Sequence, residues 1–103
     1  MASPQLEKGY TRISNELIQA MCNRISSSTW IRILLWTMRL TYGFRRKEVQ
    51  SSYQSYATKL HLTKETIKSA LADMEQQKII IFLVVTRESF IVSVNKDYDL
   101  WKI

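Results

Sequence analysis

The stretch His61–Ile81, HLTKETIKSALADMEQQKIII, decides how the rest of the chain is read. Within it Ile67, Ala70, Leu71 and Met74 recur at i, i+3, i+4 and i+7, which places them on one face of an α-helix. Thr63 stands where an N-cap hydroxyl is needed to accept a free backbone N–H. Glu65 follows in the first turn, where the helix dipole favours a carboxylate. From Ile79 the helical period gives way to a β-branched run, IIIFLVVT, then a polar tip at Arg87-Glu88-Ser89 and a returning segment, FIVSVN. The stretch therefore predicts a capped helix leading directly into a hairpin. With the apolar stripe buried, Lys64, Glu65, Lys68, Ser69 and Ala72 point outward.

Immediately upstream, SSYQSYATKLHL carries Tyr53, Tyr56, Ala57 and Leu60 at helical spacing, with Ser51 or Ser52 as cap. It predicts a helix of little more than two turns, joined to the next by a tight turn at His61-Leu62. Before it, FRRKEVQSS is a basic segment whose Val49 suits a short strand. Further back, STWIRILLWTMRLTYGF is apolar over most of its circumference, as a helix central to its domain must be. Trp30 or Ile31, Leu34, Leu35, Met38 and Tyr42 form one face, and Ile33, Trp36 and Leu40 a second. Gly43 is placed to stop this helix in a left-handed cap. The run Ser26–Ser28 separates it from a first helix bearing Ile13, Leu17, Ala20, Met21 and Ile25 on one stripe, capped by Ser14 or Asn15. Residues 1–12, with Pro4 and Gly9, read as an arm, and residues 13–103 as one domain.

The predicted fold class is mainly α with a small β hairpin. The order is helix, helix, short strand, helix, second motif helix, hairpin. Two short helices across a tight turn, with small Ala57 near their crossing, make a helix-turn-helix, and the trailing hairpin extends it to a winged helix. With 103 residues and 46% hydrophobic content the chain can build one real core, and two Gly and one Pro argue against disorder.

Fifteen Lys and Arg against nine Asp and Glu, a formal charge of +6, favour a polyanionic partner. Between residues 45 and 68 Arg45, Arg46, Lys47, Lys59, Lys64 and Lys68 face only Glu48 and Glu65. Such clustering suits phosphate neutralisation with counterion release. On this reading Lys64 and Lys68 meet guanine acceptors or phosphates in a major groove, Ser69 a phosphate or base edge, and Glu65 a cytosine amino group. Ser51, Ser52 and Gln54 add neutral phosphate contacts, and Arg87 probes a minor groove or phosphate from the hairpin tip. Read as a plain solvated helix face, the same residues need no ligand.

The segments GYTRISNEL at 9–17, TYG at 41–43 and NKDYDLWK at 95–102, with YQSYATKLHLTKETIKSALADMEQQKII between them, resemble the N-terminal domain of the phage replication protein O family. The resemblance runs from Pro4 to Lys102. It implies a winged-helix domain that binds repeated double-stranded sites at a phage replication origin and helps recruit the replicative helicase or its loader. On that resemblance residues 63–73 correspond to the recognition helix and 79–94 to the wing.

Catalysis has little to stand on. His61 falls in a turn and reads as a turn or capping residue rather than a base. Cys22 beside Met21 reads as a small semi-buried thiol, and a single cysteine supports neither a disulfide nor a multi-cysteine zinc site. Asp97 and Asp99 lack partners for a metal, and no Gly-rich phosphate loop is present. The expectation is a non-enzymatic chain with no cofactor, metal or small-molecule substrate. No apolar run approaches the ~20 residues of a membrane span, and MASPQLEKGYTRI lacks a signal-peptide core, so a bacterial cytoplasmic location without membrane contact is expected. The rival readings are a protein-interaction adaptor, docking through Ile33, Trp36 and Leu40 or through Leu100, Trp101 and Ile103, and a small transcriptional regulator. The tail folding back over the Trp36 face would hide both apolar features. A homodimer through that patch would instead address paired half-sites.

Overall fold

The computed structural model describes residues 2–103. The chain forms four α-helices and a three-stranded antiparallel sheet, with α2 and α4 packed against the strands: α1 (Asn15–Arg24), α2 (Ser28–Thr41), β1 (Glu48–Ser52), α3 (Tyr53–Leu60), α4 (Lys64–Gln76), β2 (Ile80–Val84) and β3 (Ser89–Val94). Hydroxyl caps start every helix. Ser14, Ser27, Ser52 and Thr63 accept the N–H groups of Leu17, Trp30, Ser55 and Thr66. The hairpin β2–β3 is as predicted, and the short strand around Val49 joins it. The strand order is β1-β3-β2, with Glu48 opposite Ser93 and Ser52 opposite Ser89. Strand β3 alternates half-buried and buried residues, as a sheet with one covered face requires. Its Phe90 is the hub, with ring centroids 5.0, 5.5 and 5.2 Å from Tyr53, Tyr56 and Phe82.

Helix α2 is central, but its faces differ from the expectation. Ile33, assigned to a second face, is fully buried with Leu34 and Met38, whereas Leu35 is exposed. The inward face is completed by Thr37 and Thr41, polar residues that carry no hydrophobic signal. Their hydroxyls donate to the carbonyls one turn back, Ile33 at 2.8 Å and Thr37 at 2.9 Å, so neither is buried unpaired. Thr37 also shares a 2.6 Å hydrogen bond with the buried Tyr56 hydroxyl. Burial pushes Tyr56 up to about 12 despite that bond.

Gly43 does not supply the left-handed cap. Helix α2 passes into a 3-10 turn at Tyr42–Phe44, and Arg45 takes the left-handed conformation, at φ 57°. A Cβ at Gly43 would lie 2.9 Å from Arg39 Nη1, the movable end of a flexible side chain, and 3.1 Å from Thr11 Oγ1. Cys22 is exposed rather than semi-buried, because it falls beside the α1 stripe and not on it. The tail also departs from expectation. Trp101 is buried, donating its Nε1–H to Asn95 O at 2.8 Å, while Tyr98 bonds Glu16 of α1 and Lys102 bonds Gln77. The hydrogen bonds of the tail thus run to α1 and the α4–β2 turn. Trp36 is covered instead by the Lys59 ammonium, 5.2 Å from its ring centroid, and Arg32 Nη2 donates to Leu60 O beside it. No described helix is long and apolar enough to cross a membrane.

Candidate nucleic-acid interface

Helices α3 and α4 meet across His61–Thr63. His61 adopts φ 57° as the cap of α3, and the N–H of Leu62 returns to Ala57 O, a wrap that closes a helix in a short turn. With that turn set, the stripe Ile67, Ala70, Leu71 and Met74 is buried as the periodicity requires. Helix α4 runs to Gln76, three residues beyond the stretch that the resemblance matched to a recognition helix, and carries the buried Met74 of the predicted stripe.

The outward side of α4 has two ridges. Lys64 and Lys68 lie one turn apart on the side of the hairpin. Lys64 Nζ is 3.0 Å from Glu88 Oε2, and Lys68 Nζ sits 5.1 Å from the Tyr53 ring centroid. Glu65, Ser69 and Asp73 form the other ridge, along a shallow groove with Thr29 and Trp30 of α2. Glu65 and Asp73 thereby flank the lysines, while Glu75 lies two turns beyond Lys68 on the lysine side.

The hairpin tip is built around Thr86, whose hydroxyl oxygen accepts from the N–H groups of Glu88 and Ser89. The N–H of Tyr53 donates to Glu88 O at 3.1 Å, so the tip is tied to the start of α3 as well as to α4. Hydrogen bonding and charge from Lys64, with Lys68 and Arg87 adding smaller attractions, hold the Glu88 carboxyl below its ordinary value. Ser52, Gln54, Thr63, Lys64, Lys68 and Arg87 therefore lie near this end of the sheet, with Glu65 and Ser69 on the adjoining ridge that faces α2. Four of these polar groups are already engaged: Ser52 caps α3, Thr63 caps α4, Lys64 pairs with Glu88, and Gln54 Nε2 donates to Thr58 Oγ1 at 2.9 Å.

Arg45, Arg46, Lys47 and Lys59 do not join them. Lys59 lies over Trp36, on the α2 side of α3. Arg45–Lys47 precede β1 at the end where Glu48 pairs with Ser93, while the hairpin tip is at the other end, opposite Ser52. Roughly 13 Å of extended strand separates those ends, at ~3.3 Å per residue. The single basic cluster read from residues 45–68 is thus divided in space, with Lys64 and Lys68 at one end, Arg45–Lys47 at the other and Lys59 apart from both. At the far end Arg45, Arg46 and Lys47 meet Arg12 and Lys96 around a cleft of about 780 Å³. Neither Arg12 nor Lys96 stands out in the sequence, because each is isolated along the chain.

The described residues hold no group of three His, Cys, Asp or Glu that could bind a metal. What this geometry defines is a small helical domain with a three-stranded sheet and a cationic surface at each end. The family model for bacteriophage replication protein O matches residues 3–101, nearly the whole chain, and the chain belongs to that family. No curated protein matches it. Membership ties the chain to bacteriophage DNA replication.

Proposed function

We propose that this chain is a winged-helix domain of a phage-type replication initiator that binds double-stranded DNA at origin repeats, with α4 as the recognition helix and β2–β3 as the wing. One observation carries the reading: Lys64–Glu88 and Tyr53–Glu88 join the start of α4, the start of α3 and the hairpin tip into one continuous edge. On that edge Lys68, Ser69 and Ala72 form the exposed middle of a helix narrow enough for a major groove about 12 Å wide. Arg87 lies at the wing tip, while Lys64 is partly neutralised by its ion pair. Lys68 is therefore the principal cation of the helix, with Glu65 and Ser69 addressing base edges from the second ridge. The domain acts without catalysis or cofactor in the bacterial cytoplasm, and the replicative helicase or its loader is its protein partner.

A second reading, an adaptor domain, is favoured by one feature. The outer face of edge strand β2 exposes Ile81 and Leu83, a surface that suits protein contact. Fluorescence anisotropy separates the two. Duplex binding should fall steeply with salt, and Lys64→Ala/Lys68→Ala should weaken it about tenfold, with a salt slope shallower by up to about two. Duplex binding that is absent, insensitive to salt or unchanged in the double variant would leave only the adaptor.

A further inference from the structure

The cleft at the other end of the sheet has no part in that reading, and its lining is unusual for so small a domain. Arg12 comes from the arm, Arg45, Arg46 and Lys47 from the α2–β1 connection, and Lys96 from the segment after β3. These cations converge from separate parts of the chain with no carboxylate in the lining, and among the described residues none forms an ion pair. Like charges gathered this way repel one another, which favours an anion between them.

Three further observations narrow the ligand. Arg45 holds a left-handed backbone that costs a non-glycine residue of order 1 kcal/mol, yet it keeps a long cationic side chain at the rim. The Tyr42 hydroxyl, also in the lining, is buried without a hydrogen-bond partner among the described residues. Finally, Tyr10 in the lining and Phe44 in the adjoining turn are 55% and 56% exposed, and the guanidinium groups of Arg39 and Arg46 lie 4.9 and 5.2 Å from the Phe44 ring centroid. Cations alone would suit any phosphate. Exposed aromatic faces interleaved with arginines suit unstacked bases, which a duplex does not offer and a single strand does.

We propose that this cleft binds single-stranded nucleic acid, with Arg12, Arg45, Lys47 and Lys96 on the phosphates and Tyr10 stacking on a base. The site is independent of α4 and leaves the duplex-reading edge free, so one domain can hold duplex at one end of its sheet and a separated strand at the other.

The test uses the full chain, a fluorescein-labelled oligothymidylate strand and a labelled duplex of random sequence. Arg45→Ala/Lys47→Ala/Lys96→Ala should weaken strand binding about tenfold or more and flatten its salt slope by about two, at ~0.7 per lost contact. Duplex affinity in the same variant should stay within about twofold, since those side chains lie off the α4 edge. Tyr10→Ala should weaken strand binding about fivefold without changing the salt slope, because a lost stack releases no counterions. Circular dichroism checks that the triple variant is folded, and Lys96→Ala alone gives the same readout at smaller amplitude. The proposal is overturned if strand affinity is unchanged in both cation variants, or if unlabelled duplex displaces the strand as well as unlabelled strand does. It also fails if Lys64→Ala/Lys68→Ala weakens strand binding as much as the triple variant. Loss of duplex binding alone in that double variant supports two separate sites, and a chain that binds strand but never duplex refutes the α4 reading while leaving the cleft standing.

Discussion

The two ends of the sheet carry similar residue types and are built in opposite ways. At the hairpin end three cations, Lys64, Lys68 and Arg87, share their surroundings with Glu65 and Glu88, and an ion pair occupies one of them. Most of that edge comes from one continuous stretch, the α3–α4 pair and the hairpin that follows. At the cleft end the cations arrive from three distant places and share their lining with no acid. The comparison teaches that charge density along the chain is a poor guide to charge density in space. Strand β1 separates Arg45–Lys47 from α3 and α4 and leaves them beside the end of α2, where Arg46 bonds Leu40 and Thr41, and the fold then adds Arg12 and Lys96 to them.

The largest test of the comparison breaks both ends together. Phe90 packs on Tyr53, which approaches Lys68, and on Tyr56, which bonds α2, so it supports the base of the whole arrangement. Phe90→Ala should cost about 3–5 kcal/mol by cavity formation, read as a lower midpoint in urea unfolding, with strand and duplex binding lost at the same denaturant concentration. Were one activity to outlast the other, the two ends would be separate folding units.

A second test uses pH. Tyr56 has its pKa raised by burial to about 12, so the folded state holds the phenolic proton more tightly than the unfolded chain does. The stabilisation is complete below the ordinary tyrosine value near 10 and is lost as pH rises towards 12, on the order of 2–3 kcal/mol. Tyr56→Phe should remove this alkaline step from the stability profile while costing about 1 kcal/mol at neutral pH through the lost Thr37 bond. An unchanged alkaline profile in that variant would place the titrating group elsewhere.

The smallest effect distinguishes the ends most sharply. Glu88→Gln should release Lys64 and strengthen duplex binding about threefold, with a salt slope steeper by up to about one, and leave strand binding unaltered. Because the Glu88 carboxyl is held below its ordinary value, its ion pair is present at neutral pH and is lost only as pH falls through that depressed range. Wild type and Glu88→Gln should therefore converge in duplex affinity on acidification. If instead the variant weakened duplex binding at neutral pH, the ion pair would be what positions the edge for DNA.

Much of the fold was legible locally. The periodicity of Ile67 to Met74, the hydroxyls at Ser14, Ser52 and Thr63, and the β-branched run after Ile79 each depend on neighbours within a few residues, and all are realised. What failed was non-local. Thr37 and Thr41 look like surface residues, and only tight packing with the hydroxyls turned back onto the helix makes them core. Gly43 looks like a left-handed stop, yet α2 runs on into a 3-10 turn and Arg45 takes that conformation instead.

The sequence by itself determined the elements, the buried stripe of α4 and the face that remains outside, because helix and strand periods are properties of consecutive residues. Only the tertiary structure decided which charges stand together. The pairing of β1 with β3 sends Arg45–Lys47 to one end, the hairpin brings Glu88 to Lys64 at the other, and the chain segments near Arg12 and Lys96 close the cleft. Coulombic interaction depends on separation through space and on nearby carboxylates, and neither is encoded by distance along the chain.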